Sequence, residues 1–244
     1  MISVIVPCFN EEKNVELYNQ TLFPVLMDIS KRYNQVFEYI FVDDGSSDKT
    51  FQNLLKLSEC HENVHICKHE KNRGLGEAIN TGIKNVHGEY IVTLDSDLTY
   101  RPEDITILLD AAKESKNWDC ISGSPYLYGQ MTENVSFFRL FPSKSVNYLY
   151  KIFLNTNMTC FSSIFRLYRS EIFDKIHIKS KNYDVCAEII SKMLLSGMKV
   201  VEVPVKLHNR EFGESKLDMK KETINNLKLL IKIFYIKLSN KCWE

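Results

Sequence analysis

Several marks that would place the sequence quickly are missing from it. Its seven cysteines, odd in number, form no Cys-x-x-Cys pair. That fits reduced thiols in a cytosolic setting better than a disulfide framework. No stretch of about 18 uncharged apolar residues occurs, so no membrane-spanning helix is expected. There is no Gly-x-x-x-x-Gly-Lys-Ser/Thr, Gly-x-Gly-x-x-Gly or Gly-x-Ser-x-Gly. A P-loop ATPase, a dinucleotide oxidoreductase and an acyl hydrolase are disfavoured accordingly. Met1 runs straight into Ile2-Ser3-Val4-Ile5-Val6, a buried-strand pattern in place of a basic region and signal core. Net charge is also lacking: 31 Lys and Arg balance 31 Asp and Glu. A globally basic nucleic-acid binder is disfavoured, and no nucleic-acid partner is expected.

What is present is ordinary globular material. The 244 residues are 44% hydrophobic, 25% charged and 11% aromatic. Disorder and collagen are excluded by that composition. The length suits one large domain or two small ones. The zero net charge hides an asymmetry. Residues 1–122 carry 12 basic and 20 acidic side chains; residues 123–244 carry 19 and 11.

The first half alternates strand and helix patterns. Apolar, β-branched runs fall at 2–6, 37–42, 64–67, 89–94 and 118–122, with helical patterns at 11–33, 48–60, 74–86 and 102–115. Asp48 suits the cap of the second helix, and Pro102 the first turn of the fourth. This order predicts an α/β fold with a Rossmann-like, mainly parallel sheet and flanking helices. The second half is less regular: a strand near 161–168, a helix at 184–196 stopped by Gly197, and a strand at 199–207. A last element at 219–239 spaces Ile224, Leu227, Ile231, Phe234 and Leu238 by threes and fours among lysines. It reads as a basic amphipathic helix, set either in a membrane interface or against the domain.

Chemistry gathers where the strands end, which is where open α/β sheets bind ligands. Asp95-Ser96-Asp97 places two carboxylates two residues apart, on one side of an extended chain. They can converge on Mg²⁺ or Mn²⁺ with substrate phosphates completing the shell, or simply cap a helix. Asp43-Asp44-Gly45-Ser46 offers a carboxylate to a base or ribose, or forms a turn. Asn72-Arg73-Gly74-Leu75-Gly76 opens a helix whose glycines and N-terminus suit an anion. Cys60, His61, His65, Cys67 and His69 match no common zinc spacing, and ordinary strand residues are expected there. Arg139, Lys144, Arg166, Arg169, Arg210 and Lys216 gather cations in the second half. Arg210 and Lys216 share a glycine-containing loop able to close over a phosphate.

Together these motifs resemble the family 2 glycosyltransferases. They look most like dolichyl- or polyprenyl-phosphate mannose synthases and related hexosyltransferases, over nearly the whole chain. The generic part is Val6-Pro7-Cys8-Phe9-Asn10-Glu11, Val42-Asp43-Asp44-Gly45-Ser46, Asn72-Arg73-Gly74 and Asp95-Ser96-Asp97-Leu98 with Pro102-Glu103. The sharper part is Phe165-Arg166-Leu167-Tyr168-Arg169 and Arg210-Glu211-Phe212-Gly213-Glu214-Ser215-Lys216-Leu217. The resemblance implies a GT-A fold over residues 1–217, divided into a nucleotide-sugar half (1–122) and an acceptor half (123–217), with 218–244 as the terminal helix. It implies a nucleotide-sugar donor (GDP-mannose or UDP-glucose) and Mg²⁺ or Mn²⁺. Pro7, Phe9, Glu11, Asp43, Asp44, Asp95 and Ser96 would bind the donor, and Asp95 and Asp97 the metal. Arg139, Ser143 and Lys144 would take the acceptor phosphate, and Asp97, Arg210 and Lys216 would act on the diphosphate. The sequence departs from the family pattern at Pro125, Thr99, Cys160 and Ser162-Ser163.

The expected reaction is inverting hexose transfer to a polyprenyl or dolichyl phosphate. It would occur at the cytosolic membrane face, with or without an anchoring subunit. A soluble transferase acting on a hydroxyl would instead need a carboxylate base, for which Asp184 and Glu188 are the candidates. A non-catalytic, membrane-associated homologue is the third reading.

Overall fold

Every residue of Ile2–Cys8 is buried in the computed structural model, where this run forms the interior strand β1. The structure describes residues 1–128, 137–210, 212 and 219–239, without the side chains of 137–145, 219 and 220. Three short helices follow β1: α1 (Glu12–Glu16), α2 (Tyr18–Thr21) and α3 (Phe23–Tyr33). Then come β2 (Phe37–Asp43), α4 (Thr50–Cys60), β3 (Val64–Lys68), α5 (Leu75–Ile83), β4 (Tyr90–Thr93), α6 (Ile105–Glu114) and β5 (Cys120–Ser124). The second half adds α7 (Phe137–Leu154), β6 (Arg166–Arg169), α8 (Val185–Leu195), β7 (Val200–Pro204) and α9 (Met219–Ser239).

The seven strands lie in the order β3-β2-β1-β4-β6-β5-β7. All run parallel except β6, which pairs antiparallel with both β4 and β5. The strand alternation splits the core into two layers. Val4, Val6, Phe37, Tyr39 and Phe41 face α3, α4 and α6. Ile5, Ile40 and Val42 face α5, α7, α8 and α9. Period-two alternation within parallel strands feeds both layers, so the expected mainly parallel α/β sheet with flanking helices is what forms.

Local expectations hold with instructive differences. Pro102 opens a single 3-10 turn, Pro102–Asp104, ahead of α6. Lys49, not Asp48, occupies the cap position of α4; Asp48 stands one residue earlier, and its carboxylate accepts the Thr50 backbone N–H at 2.9 Å. The 18-residue helix α7 was not expected, because Pro142 lies inside it and interrupts the pattern. The terminal helix packs on its domain through Leu229, Leu230 and Ile233. The stripe picked out by spacing is not what packs on the domain, the second of the two placements expected: Ile224, Leu227, Ile231, Phe234 and Leu238 are all exposed, Ile231 and Leu238 at 69%. No helix among the described residues is long and apolar enough to cross a membrane.

Candidate donor site

The carboxyl ends of β1, β2 and β4 meet at one edge of the sheet. Asn10, with φ of +53°, turns the chain out of β1. Its backbone N–H donates to Ser46 Oγ (2.9 Å), and its Oδ1 accepts the Ser47 N–H (2.7 Å). The Glu11 N–H donates to Thr50 Oγ1 at 2.7 Å. The loops after β1 and β2 are thus stitched together. Pro7 is buried in β1, and Phe9 is half-buried at its end.

Four ionisable side chains, those of Glu11, Asp95, Asp97 and Arg210, converge above this edge. Arg210 Nε donates to Asp97 Oδ2 at 2.7 Å, and Arg210 Nη2 to Glu11 Oε1 at 3.2 Å. Asn14 Nδ2 fixes the other Glu11 oxygen at 2.6 Å, and the Thr99 N–H meets Asp97 Oδ1 at 3.1 Å. Burial and the Asp97 carboxylate push the Asp95 carboxyl well above its usual range, against the pull of Arg210. Burial alone would lower the Arg210 pKa, but Asp97 and Glu11 outweigh it and hold the guanidinium charged. Ser96 is buried, and its carbonyl accepts the Tyr18 hydroxyl at 2.6 Å. Among the described residues, three carboxyl groups gather here around the Arg210 guanidinium.

Asp43 and Asp44 differ sharply. Asp43 is fully buried; its Oδ1 accepts the Ser46 N–H at 3.1 Å, while its Oδ2 is buried without a partner. Both Asp44 oxygens are engaged. Oδ1 meets His69 Nδ1 (2.6 Å) and the Arg73 N–H (2.9 Å), and Oδ2 meets the Gly74 N–H (2.8 Å). His69 Nε2 in turn meets Thr81 Oγ1 at 2.9 Å. Asp44 therefore anchors the Arg73-Gly74 loop.

Other candidates lie elsewhere. Arg166 has no exposed surface and donates to Ser122 Oγ, Tyr168 Oη, Cys186 O and Phe161 O, so it is a core post and not a phosphate ligand. Arg169 stacks its guanidinium 4.7 Å from the Trp118 ring centre. The glycines of the Asn72–Gly76 segment admit this chain's own backbone: the Gly76 N–H donates to Lys181 O at 2.9 Å. A Cβ on Gly76 would lie 2.0 Å from Ser180 O, and one on Gly74 2.2 Å from Lys181 O. The zinc-like set disperses. His61 stacks on Phe23, His69 holds Asp44 and His65 lies 3.8 Å from Glu38. Among the described residues, no group of three or more His, Cys, Asp or Glu side chains stands ready to hold a metal.

Of the two possible bases, Glu188 is consumed. It pairs with Lys192 at 3.1 Å and accepts the Lys179 and Ser180 N–H groups at 3.0 and 2.7 Å. Asp184 takes the Ser180 hydroxyl on Oδ2 (2.7 Å), while its Oδ1 is buried without a partner. Tyr183, in the loop before α8 and partly exposed, was not singled out from the sequence; its phenol is pushed up to about 12 by burial and then by the charge of Asp95. A lone tyrosine in a loop gave no signal. Lys216 lies outside the described residues. Arg139, Ser143 and Lys144 fall on the first half of α7, where side chains are not described.

A family model described as glycosyl transferase family 2 matches residues 3–177. The dolichol-phosphate mannosyltransferase of Pyrococcus furiosus is 33% identical over 219 residues, which make up 88% of this chain and 59% of that protein. The chain thus spans under two thirds of that relative's length. Glucosyl-3-phosphoglycerate synthase from Mycobacterium tuberculosis, solved with Mn²⁺, UDP and glucosyl-3-phosphoglycerate, superposes with a TM-score of 0.68. It is 18% identical, covering 94% of this chain and 79% of that one. The same enzyme with Mn²⁺ and UDP-glucose gives 0.67 at 17% identity, covering 94% and 78%. The likeness identifies the sheet and its helices as the GT-A fold. The chain belongs to glycosyl transferase family 2.

Proposed function

We propose that the protein transfers a hexose, with inversion, from a nucleotide sugar to a polyprenyl or dolichyl phosphate at the cytosolic membrane face. The observation that carries the donor half is the convergence of Glu11, Asp95, Asp97 and Arg210 at the carboxyl ends of β1 and β4. The 33% identical dolichol-phosphate mannosyltransferase supports the acceptor class and favours mannose over glucose.

The residues divide the work. Asp43 Oδ2, buried and unpartnered, accepts a hydrogen bond from the base or ribose; Pro7, Phe9 and Ser96 shape the same edge. Asp44 keeps the Arg73-Gly74 loop in place beside it. Asp97, with Asp95, would hold Mg²⁺ or Mn²⁺, to which their hard carboxylate oxygens are suited. Such a metal would supply stabilisation of the negative charge on the departing diphosphate. Arg210, joined by Lys216, adds hydrogen bonds to that diphosphate as charge grows on it. Arg139, Ser143 and Lys144 take the acceptor phosphate. A lipid phosphate has a second pKa near 6, so its oxygen is mostly anionic at neutral pH and attacks the anomeric carbon without a base.

The exposed row of α9, flanked by Lys228, Lys232 and Lys237, supports peripheral attachment. Apolar side chains enter the headgroup boundary while lysines meet anionic lipid. An anchoring subunit fits the same surface. A second reading, transfer to a hydroxyl, is favoured by one observation: the unpartnered Asp184 Oδ1 could act as base.

A transfer assay separates the readings. The protein is incubated with labelled GDP-mannose or UDP-glucose, Mn²⁺ and polyprenyl phosphate, and the phases are counted. Label in the organic phase supports the proposal. Label confined to water-soluble acceptors supports the second reading, and none with any donor supports a non-catalytic homologue.

A further inference from the structure

Every oxygen of Asp97 and Glu11 is in use within the protein. Asp97 gives Oδ1 to the Thr99 N–H and Oδ2 to Arg210; Glu11 gives Oε2 to Asn14 and Oε1 to Arg210. The segment carrying Arg210 is clipped down beside Asp97. The His208 N–H donates to Thr99 O at 2.9 Å, and the Val205 N–H to Ser124 O at 3.1 Å. The guanidinium therefore sits on the carboxylate oxygen that a divalent cation in this cleft would need.

We propose that Arg210 is the resident counter-ion of the donor site and competes with the divalent metal for Asp97, so that the metal is held tightly only together with a diphosphate. The inference rests on the donor-site reading above. A metal arriving alone must expel the guanidinium from Asp97. That leaves two cations close together in a half-buried cleft, with Glu11 as the nearest compensation. A diphosphate changes the balance. It offers Arg210 a new bidentate acceptor as it brings ligands to the metal. Metal and nucleotide then bind with positive coupling, and by linkage each raises the affinity of the other equally.

The test measures Mn²⁺ binding to the full chain by the electron paramagnetic resonance of free Mn²⁺, with and without UDP or GDP. Arg210→Gln should bind Mn²⁺ alone at least tenfold more tightly than the parent, and its nucleotide-induced gain in Mn²⁺ affinity should shrink at least tenfold. Arg210→Lys, which keeps the charge without the fork, should fall between. Melting curves check that each variant is folded. Equal or weaker Mn²⁺ binding by Arg210→Gln overturns the competition. If Asp97→Asn still abolishes binding in that case, the donor site stands and only the competition falls. If the extra affinity of Arg210→Gln survives in the Asp97→Asn/Arg210→Gln double variant, the metal is not on Asp97. The donor-site reading then falls with the proposal.

Discussion

The Arg210 guanidinium and the Asp97 carboxylate meet at 2.7 Å although 113 residues separate them in sequence. One comes from the net-basic half of the chain and the other from the net-acidic half. The charge asymmetry hidden beneath a zero total thus has a structural meaning at this point of contact. It does not account for every charge; most of the lysines of α9 face outward.

Asp43 offers a clean test of nucleotide recognition. Its Oδ1 is fixed by the Ser46 N–H, while its buried Oδ2 has no partner. Asp43→Asn keeps the first contact and replaces the second acceptor with a donor. Nucleotide affinity should fall about 10- to 100-fold, with melting temperature nearly unchanged. Calorimetric titration measures it; parental affinity would show that Asp43 does not touch the nucleotide.

Arg166 should matter for stability and not directly for chemistry. It is wholly buried and donates to two backbone carbonyls and two hydroxyls. Arg166→Met leaves those acceptors unpaired, and the cost should be roughly 3–4 kcal/mol in denaturant unfolding. A loss below about 1 kcal/mol would show that the site relaxes or hydrates easily.

Glu38 predicts part of the acid sensitivity. Burial alone would raise its pKa, but hydrogen bonds from Ser3 and from the His87 backbone and ring outweigh it, and the net shift is downward. Folding therefore favours the carboxylate. Its contribution is complete above the ordinary glutamate value of about 4.3 and is lost as pH falls through the lowered folded value. Glu38→Gln should be less stable than the parent at pH 7, with the difference shrinking toward pH 3. A difference independent of pH would contradict this linkage.

The outer face of α9 predicts membrane behaviour separable from folding. Leu227, Ile231 and Leu238 are exposed, whereas Leu229, Leu230 and Ile233 are buried. Replacing the first three with Ser should leave stability within about 0.5 kcal/mol. Co-flotation with anionic vesicles should drop at least tenfold. Undiminished flotation would move the contact elsewhere.

Most strands of the first half were legible because burial on both faces, complete in β1, β2 and β5, writes continuous apolar runs, and the observed ends lie within a residue or two of those expected. The gathering of carboxylates at the strand ends was legible for the same reason, since acidic clusters stand out after such runs. Four features were not. Pro142 concealed α7. Which face of α9 packs on the domain was left open by the spacing: Leu229, Leu230 and Ile233 are buried against it, while the longer apolar row runs along the outside. The glycines of Asn72–Gly76 admit Ser180 and Lys181 instead of an anion, a long-range contact that local spacing cannot encode. Arg166 likewise reads as a surface cation until β6 is seen inserted between β4 and β5.

The central claim is that Glu11, Asp95, Asp97 and Arg210 form the donor diphosphate site. The most direct measurement is calorimetric titration of the protein with GDP and UDP, with and without Mn²⁺, beside Asp97→Asn. Saturable binding of at least one nucleotide should require Mn²⁺ and should disappear in the variant. Nucleotide binding that is independent of Mn²⁺ and unchanged by Asp97→Asn would contradict the account.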